Sequence, residues 1–283
     1  MLFCKFVKTK SAMNTQKAIE YIEEWLKNYL GGSGMNGFVV GVSGGIDSAV
    51  VSTLCARTGE NVVVMNMPIH QSKAEITRGE KHIDLLCEKY ANVTALNIDL
   101  TTVYDTFREV YEGEMGDEAS RETRLLVLGN SRSRLRMTTL YAVAGTQKML
   151  VCGTGNKVED FGVGFYTKYG DGGVDLSPIA DLNKSEVYQL GNALRVIPEI
   201  LNAQPTDGLW DDDRTDEDQI GATYEELEWA MNAWEKEGEN PERQNFTSRQ
   251  KMVFDIFLKR HIANKHKMQP IPVCEISDEI KKG

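Results

Sequence analysis

The sequence predicts an α/β fold: a doubly wound parallel sheet of about five strands with helices on both faces. Three features carry that expectation. Short apolar runs alternate with stretches of helical periodicity along the first half of the chain. Some runs, such as Val62 to Met65, are apolar at every position, as strands buried on both faces must be. A glycine-rich turn, Gly41 to Ser48, joins the first run to the helix after it, at the end of the sheet where open parallel folds bind ligands.

The spacing of Ala18, Ile19, Ile22, Trp25, Leu26, Tyr29 and Leu30 predicts a helix over 15–30, closed by Gly31-Gly32. Residues 38–42 read as the first strand, 61–67 as the second, 92–98 as the third and 149–152 as the fourth. Between them, helices are expected over the segment that ends at Gly59, over 73–90, around 103–111 and over 135–147. Residues 153–183 hold seven glycines and little periodicity, which predicts a long functional loop. The acidic stretch 207–218 reads as a solvated loop or lid, and helices follow near 223–236 and 247–265. His82 reads as helical surface, and Trp229 and Trp234 as core or interface. Residues 1–14 form an extension, 15–275 a single domain and 276–283 a tail.

Composition narrows the function. The chain has 283 residues, 41% apolar and 26% charged, which excludes a disordered or fibrous protein. Its net charge of −10 makes it a poor nucleic-acid coat, so a polyanion needs a focused cationic site. The run Arg132, Arg134, Arg136 offers one. No apolar run is long enough to span a membrane. Five scattered cysteines without C-x-x-C spacing argue against zinc ribbons and disulfide frameworks, and for the cytoplasm.

The chemistry is concentrated in Gly41-Val42-Ser43-Gly44-Gly45-Ile46-Asp47-Ser48. Gly44 and Gly45 let phosphate oxygens approach the main chain, whose amides and helix N-terminus face an anion. Ser43 and Ser48 add hydroxyl donors. Asp47 would repel bare phosphate, so its presence points to a divalent cation between them. No Walker-type G-x-x-x-x-G-K-[ST] occurs. The bland alternative is a plain glycine turn with an Asp at a helix start.

This loop resembles the SGGxDS pyrophosphate loop of the N-type ATP pyrophosphatases, and other stretches resemble the ammonia-dependent NAD synthetases among them. These are Gly129 to Met137, Gly153-Thr154, Glu159, Thr167 to Asp175, Leu182-Asn183-Lys184, Pro205-Thr206 and His266-Lys267. Together they cover about residues 15–270. Ser133 stands where the family usually has alanine, and one more residue than usual separates Glu159 from Lys168.

The resemblance implies an adenine nucleotide alpha hydrolase-like fold and the amidation of deamido-NAD by ammonia. ATP adenylates the substrate carboxylate, and AMP and pyrophosphate leave. It implies that Asp47 and Glu159 hold Mg²⁺, with Asp160 the substitute if the extra residue shifts the loop. Gly41, Val42, Ser43, Gly44, Gly45, Ile46, Asp47, Ser48, Thr154, Lys184 and Thr206 would bind ATP. Asp47 and Lys184 would carry the catalysis, Lys184 by neutralising charge on the pyrophosphate. Asn130, Arg134, Tyr141, Lys168, Asp175, His266 and Lys267 would bind deamido-NAD. A homodimer is implied, with helices 15–30 and 135–147 as candidate interface. Free ammonia is the expected nitrogen source, because the roughly 37 residues before the first strand are too few for an amidase domain. Without the resemblance, Glu159 reads as a solvated charge, Lys184 as surface and Arg134 as an ion-paired surface residue, for example with Glu122. A tRNA-modifying or GMP synthetase-like enzyme and a non-catalytic nucleotide sensor remain the alternatives.

Overall fold

The computed structural model describes residues 13–116, 119–206, 215–239 and 241–282. Four parallel strands form one sheet in the order β3-β2-β1-β4. They are β1 (Gly37–Gly41), β2 (Asn61–Asn66), β3 (Val93–Asn97) and β4 (Leu150–Val151). Register runs from Gly37 opposite Asn61 to Gly41 opposite Met65, and β4 pairs Leu150 with Phe38. The count is four rather than about five. A fifth position is held only by a parallel bridge between Cys152 and Leu176. The extended stretch there lies between the glycines at 170–173 and Pro178, and is too short to pair further.

Side-chain alternation along β1 feeds two cores. Phe38, Val40 and Val42 face a core shared with α1 (Thr15–Ser33), α2 (Ile46–Arg57), α3 (Lys73–Lys89), α6 (Lys184–Ala193) and α7 (Pro198–Leu201). Val39 faces the other, with Val63, Met65 and Val151, where α4 (Thr101–Met115) and α5 (Arg121–Gln147) supply Tyr104, Leu128 and Ala144. Helices therefore cover both faces, as the unbroken apolar strands require. A third cluster joins the π-helical turn Val158–Val163 to α8 (Asp216–Ile220), α9 (Tyr224–Glu237) and α10 (Ser248–Met268), through Val163, Leu227, Phe254 and Phe257. Trp234 packs on Phe257 and His261 there, as a core residue.

Four local expectations change. Helix α1 passes through Gly31-Gly32 and stops at Gly34, which takes the left-handed cap with φ 70°. Helix α5 begins at Arg121, capped by the Ser120 side chain, so 132–136 lies mid-helix rather than at a start. Gly129, Asn130 and the leucine run before them hide its periodicity. Residues 215–220 are not a solvated loop: Thr215 and Asp218 form a capping box on α8, and Asp216 is buried. The remainder of the acidic stretch, 207–214, lies outside the described residues. His82 is buried in α3, with Nε2 3.0 Å from Ser52 Oγ of α2, because its face of α3 packs on α2 rather than on solvent.

Candidate active site

Strand order sets the site's place. The chain steps outward from β1 through β2 to β3, then returns to the other side of β1 with β4. The loops after β1 and β4 therefore diverge at a switch point, where open sheets leave a crevice. A cavity of about 1000 Å³ opens there, lined by Gly41 to Ser48 (except Gly44), Gly153 to Gly155, Glu159, Lys184 and Thr206.

The glycine loop is built as a cradle. Gly44 has φ 84°, and a Cβ on it would run into the Glu75 carbonyl oxygen at 2.6 Å. Ser48 Oγ accepts from the Ser43 amide at 3.2 Å and donates to the Gly45 carbonyl at 3.1 Å, closing the turn on the first turn of α2. Arg78, from α3, reaches across 3.3 Å to the Gly44 carbonyl and also lines the cavity.

Beside the cradle lies a charged centre. Lys184 Nζ donates to Asp47 Oδ2 at 2.6 Å and to Glu159 Oε1 at 3.0 Å. The lysine side chain is only 5% exposed, so it is not the surface residue its isolated position suggests. Burial opposes its charge, but the two carboxylates more than reverse this and hold its pKa above the usual range. Asn156 Nδ2 donates to Asp47 Oδ1 at 3.2 Å, and the Tyr224 hydroxyl donates to Glu159 Oε1 at 2.6 Å. Burial raises Asp47 above the ordinary carboxylate value. It would raise Glu159 too, but Lys184 and Tyr224 together hold that carboxyl below its usual value.

Val158–Val163 winds as a π-helix, a wider turn than an α-helix. From it Glu159 meets Lys184 beside Asp47. Asp160 instead lies over Gly155, where any Cβ would overlap its carboxylate. Burial first, then Glu159 and Asp171, raise Asp160 well above the usual range.

The residues expected to hold the dinucleotide divide in two. Asn130 and Lys267 line the cavity; Asn130 Oδ1 accepts from Thr167 at 2.5 Å, and Lys267 Nζ donates to the Gly164 and Tyr166 carbonyls at 2.8 Å. Arg134, Tyr141, Lys168, Asp175 and His266 lie outside the cavity lining. There Arg134 Nε approaches the Lys168 carbonyl at 3.4 Å, and Lys168 Nζ donates to the His266 carbonyl at 2.9 Å. Tyr141 donates to Asp175 Oδ1 at 3.0 Å, while Asp175 Oδ2 accepts from the Val151 amide at 2.7 Å.

The three arginines do not form one basic face. Helical geometry puts Arg132 and Arg136 together and Arg134 opposite. Arg132 is buried over the Tyr104 ring at 4.9 Å. Arg136 alone of the three lines the cavity, donating to Met67 O at 3.0 Å, and burial with Arg132 nearby lowers its pKa to about 10. Asn156, Tyr224, Asp216, Arg136 and Arg78 were not assigned from sequence. Only Asn156, inside the Gly153–Glu159 stretch, and Arg136, inside the basic run, carried any signal.

The donor set fits Mg²⁺. Asp47 and Glu159 already share one cation, and both present hard oxygens to the cavity. Among the described residues no three His, Cys, Asp or Glu side chains form a metal cage. Mg²⁺ commonly takes one or two carboxylates, with phosphate oxygens and waters completing its shell.

Comparison with known proteins agrees with the geometry. The family model described as NAD synthase matches residues 18–271. An NH(3)-dependent NAD(+) synthetase of Alkaliphilus oremlandii is 35% identical over 262 residues, 92% of this chain and 98% of that protein. The structure of an NMN synthetase from Francisella tularensis matches with a TM-score of 0.79 at 28% identity, over 93% of this chain and 100% of that one. An NH3-dependent NAD synthetase from Campylobacter jejuni matches with 0.73 at 27% identity and the same coverage. A family match over residues 18–271, almost the whole chain, places the chain in the NAD synthase family.

Proposed function

We propose that this chain joins ammonia to the nicotinate carboxylate of deamido-NAD at the expense of ATP, releasing AMP and pyrophosphate. The observation that carries the reading is the Asp47–Lys184–Glu159 centre beside a phosphate cradle in a cavity large enough for a nucleotide. The NH(3)-dependent NAD(+) synthetases it resembles support the same chemistry.

The loop Gly41–Ser48, with Thr154 and Thr206, orients the triphosphate so that its α-phosphorus faces the substrate carboxylate. A carboxylate oxygen attacks that phosphorus and pyrophosphate departs. Ammonia then attacks the activated carbonyl carbon, sheds a proton, and AMP leaves. Lys184 neutralises charge gathering on the departing pyrophosphate. Asp47 and Glu159 would hold Mg²⁺, which supplies further charge neutralisation at the phosphates. Asp47 and Glu159 both line the cavity, with Lys184 between them. Asn130 and Lys267 hold deamido-NAD from the cavity side, and Arg134, Tyr141, Lys168, Asp175 and His266 from the outer face.

The enzyme works as a homodimer in the cytoplasm. Cys55, Cys87, Cys152 and Cys274 are free thiols, which suits a reducing compartment, and no described helix is long and apolar enough to cross a membrane. Helix α1 exposes Tyr21, Trp25 and Tyr29, and α4 exposes Val103, Phe107 and Val110, each along one stripe. Light scattering on the purified chain tests the dimer.

Pyrophosphate release from ATP tests the reaction. Steady-state release should require both deamido-NAD and ammonium, with at most one pyrophosphate per site when ammonium is left out and with glutamine a poor substitute. Sustained release without deamido-NAD, or at the same rate without ammonium, would overturn the reading. The likeness to the Francisella NMN synthetase makes a mononucleotide acceptor the second reading, and parallel assays with nicotinate mononucleotide separate the two.

A further inference from the structure

We propose that Lys184 is an internal counter-ion that keeps the Asp47–Glu159 pair closed to a divalent cation until nucleotide phosphates draw the ammonium away. The inference rests on the reading of the cavity as an ATP site. It adds an order of events: the metal arrives with the nucleotide, not before it.

The geometry is specific. Lys184 Nζ occupies the point that both carboxylates share, 2.6 Å from Asp47 Oδ2 and 3.0 Å from Glu159 Oε1. It also sits 4.7 Å from the centre of the Tyr224 ring, whose face favours a cation. Asn156 donates to the other Asp47 oxygen, Oδ1, and Tyr224 donates to the same Glu159 Oε1 that meets the lysine, so both carboxylates are held in place around the ammonium. A metal ion held by Asp47 and Glu159 would compete for the volume that the ammonium fills.

Charge reinforces the steric argument. Asp47, Glu159 and Lys184 by themselves carry a single net negative charge in a buried place, with buried Asp216 behind Tyr224. A divalent ion added beside the ammonium meets a like charge at close range and low dielectric. The triphosphate changes this balance, because its oxygens offer the ammonium a new partner at the cradle. Lys184 is suited to the move. Its backbone is fixed at the first turn of α6 by the Asn183–Glu186 capping box, while its four-carbon stem can swing. Tyr224 and Asn156 then leave the carboxylates in place for the incoming ion.

Manganese binding tests the proposal. Free Mn²⁺ is followed by electron paramagnetic resonance in the nucleotide-free, full-length protein. Wild type should bind weakly, with Kd above roughly 1 mM, and Lys184→Met should bind at least about tenfold more tightly once the competing charge is gone. Lys184→Arg, which keeps the cation, should stay weak, and Lys184→Met/Asp47→Asn should lose the gain. If circular dichroism shows Lys184→Met unfolded, Lys184→Gln replaces it. Tight Mn²⁺ binding by nucleotide-free wild type overturns the proposal whatever the variants do. So does unchanged weak binding by a folded neutral variant. Neither result depends on turnover, so failure here is separable from failure of the pyrophosphate assay.

Discussion

The Tyr224 hydroxyl donates to Glu159 Oε1 across 2.6 Å, and so ties the helical lobe of α8, α9 and α10 to the phosphate site. The same oxygen lies 3.0 Å from Asp216 Oδ2, and one phenolic proton cannot serve two carboxylates at once. Glu159 is the nearer partner, and its lowered pKa agrees with receiving that proton's hydrogen bond.

Tyr224→Phe should therefore lower kcat while leaving the fold intact. Hydrogen bonds to charged groups contribute about 1.5–3 kcal/mol, which corresponds to a fall of roughly ten- to hundredfold. Circular dichroism and steady-state kinetics check it. A variant with unchanged kcat would show that Tyr224 only fills space beside Glu159.

Asp47→Asn and Glu159→Gln should each abolish turnover without unfolding the chain, since each keeps shape and removes a charge the site uses. Asp160→Asn should change kcat less than about threefold, because burial already favours the neutral acid there and Asn mimics it. Side-by-side kcat values decide between the carboxylates. A more damaging Asp160→Asn would mean that the extra residue has moved the working ligand.

Legibility followed the kind of signal. The strands and the SGGIDS turn were readable because continuous apolar runs and paired glycines have few other uses. The Asp47–Glu159 pairing came from resemblance alone, since 112 positions separate them in sequence. Tyr224 gave no signal: it opens α9 and reaches the site only through tertiary packing. The π-helix at Val158–Val163 could not be read from sequence, because periodicity does not distinguish a wider turn from a loop. Ser133 stands where the resemblance expects alanine, yet its hydroxyl donates to Asp171 Oδ1 at 2.7 Å and accepts from the Asp171 amide at 2.8 Å, tethering the glycine-rich loop. His82 misled because charge alone suggested a surface.

His82 predicts a pH dependence of stability. Burial lowers its pKa from 6.5 to about 4, slightly offset by a backbone contact at Ala49. Between those values the unfolded chain takes up a proton and the folded chain does not. Stability is fully present above pH 6.5 and falls as pH drops towards 4, by about 2 kcal/mol at pH 5. Urea unfolding at pH 7 and pH 5 measures it. His82→Gln should remove that part of the slope; an unchanged slope would assign it to other groups.

Arg134 offers the sharpest test of how the dinucleotide is held. It is exposed, stands outside the cavity, and meets the Lys168 carbonyl rather than Glu122 among the described residues. Lys168 in turn reaches His266, so three residues expected to hold deamido-NAD form one outer cluster. If that cluster only braces the loop, Arg134→Lys should cost little, because exposed contacts contribute roughly 0–1 kcal/mol. If its guanidinium grips a phosphate or carboxylate oxygen pair, lysine cannot copy the fork. The expected loss is then about 1.5–3 kcal/mol, a roughly ten- to hundredfold rise in KM for deamido-NAD with KM for ATP unchanged. Both KM values on the single variant decide it. Wild-type values for both assign Arg134 to bracing, and a rise confined to ATP moves it to the nucleotide that the cradle holds.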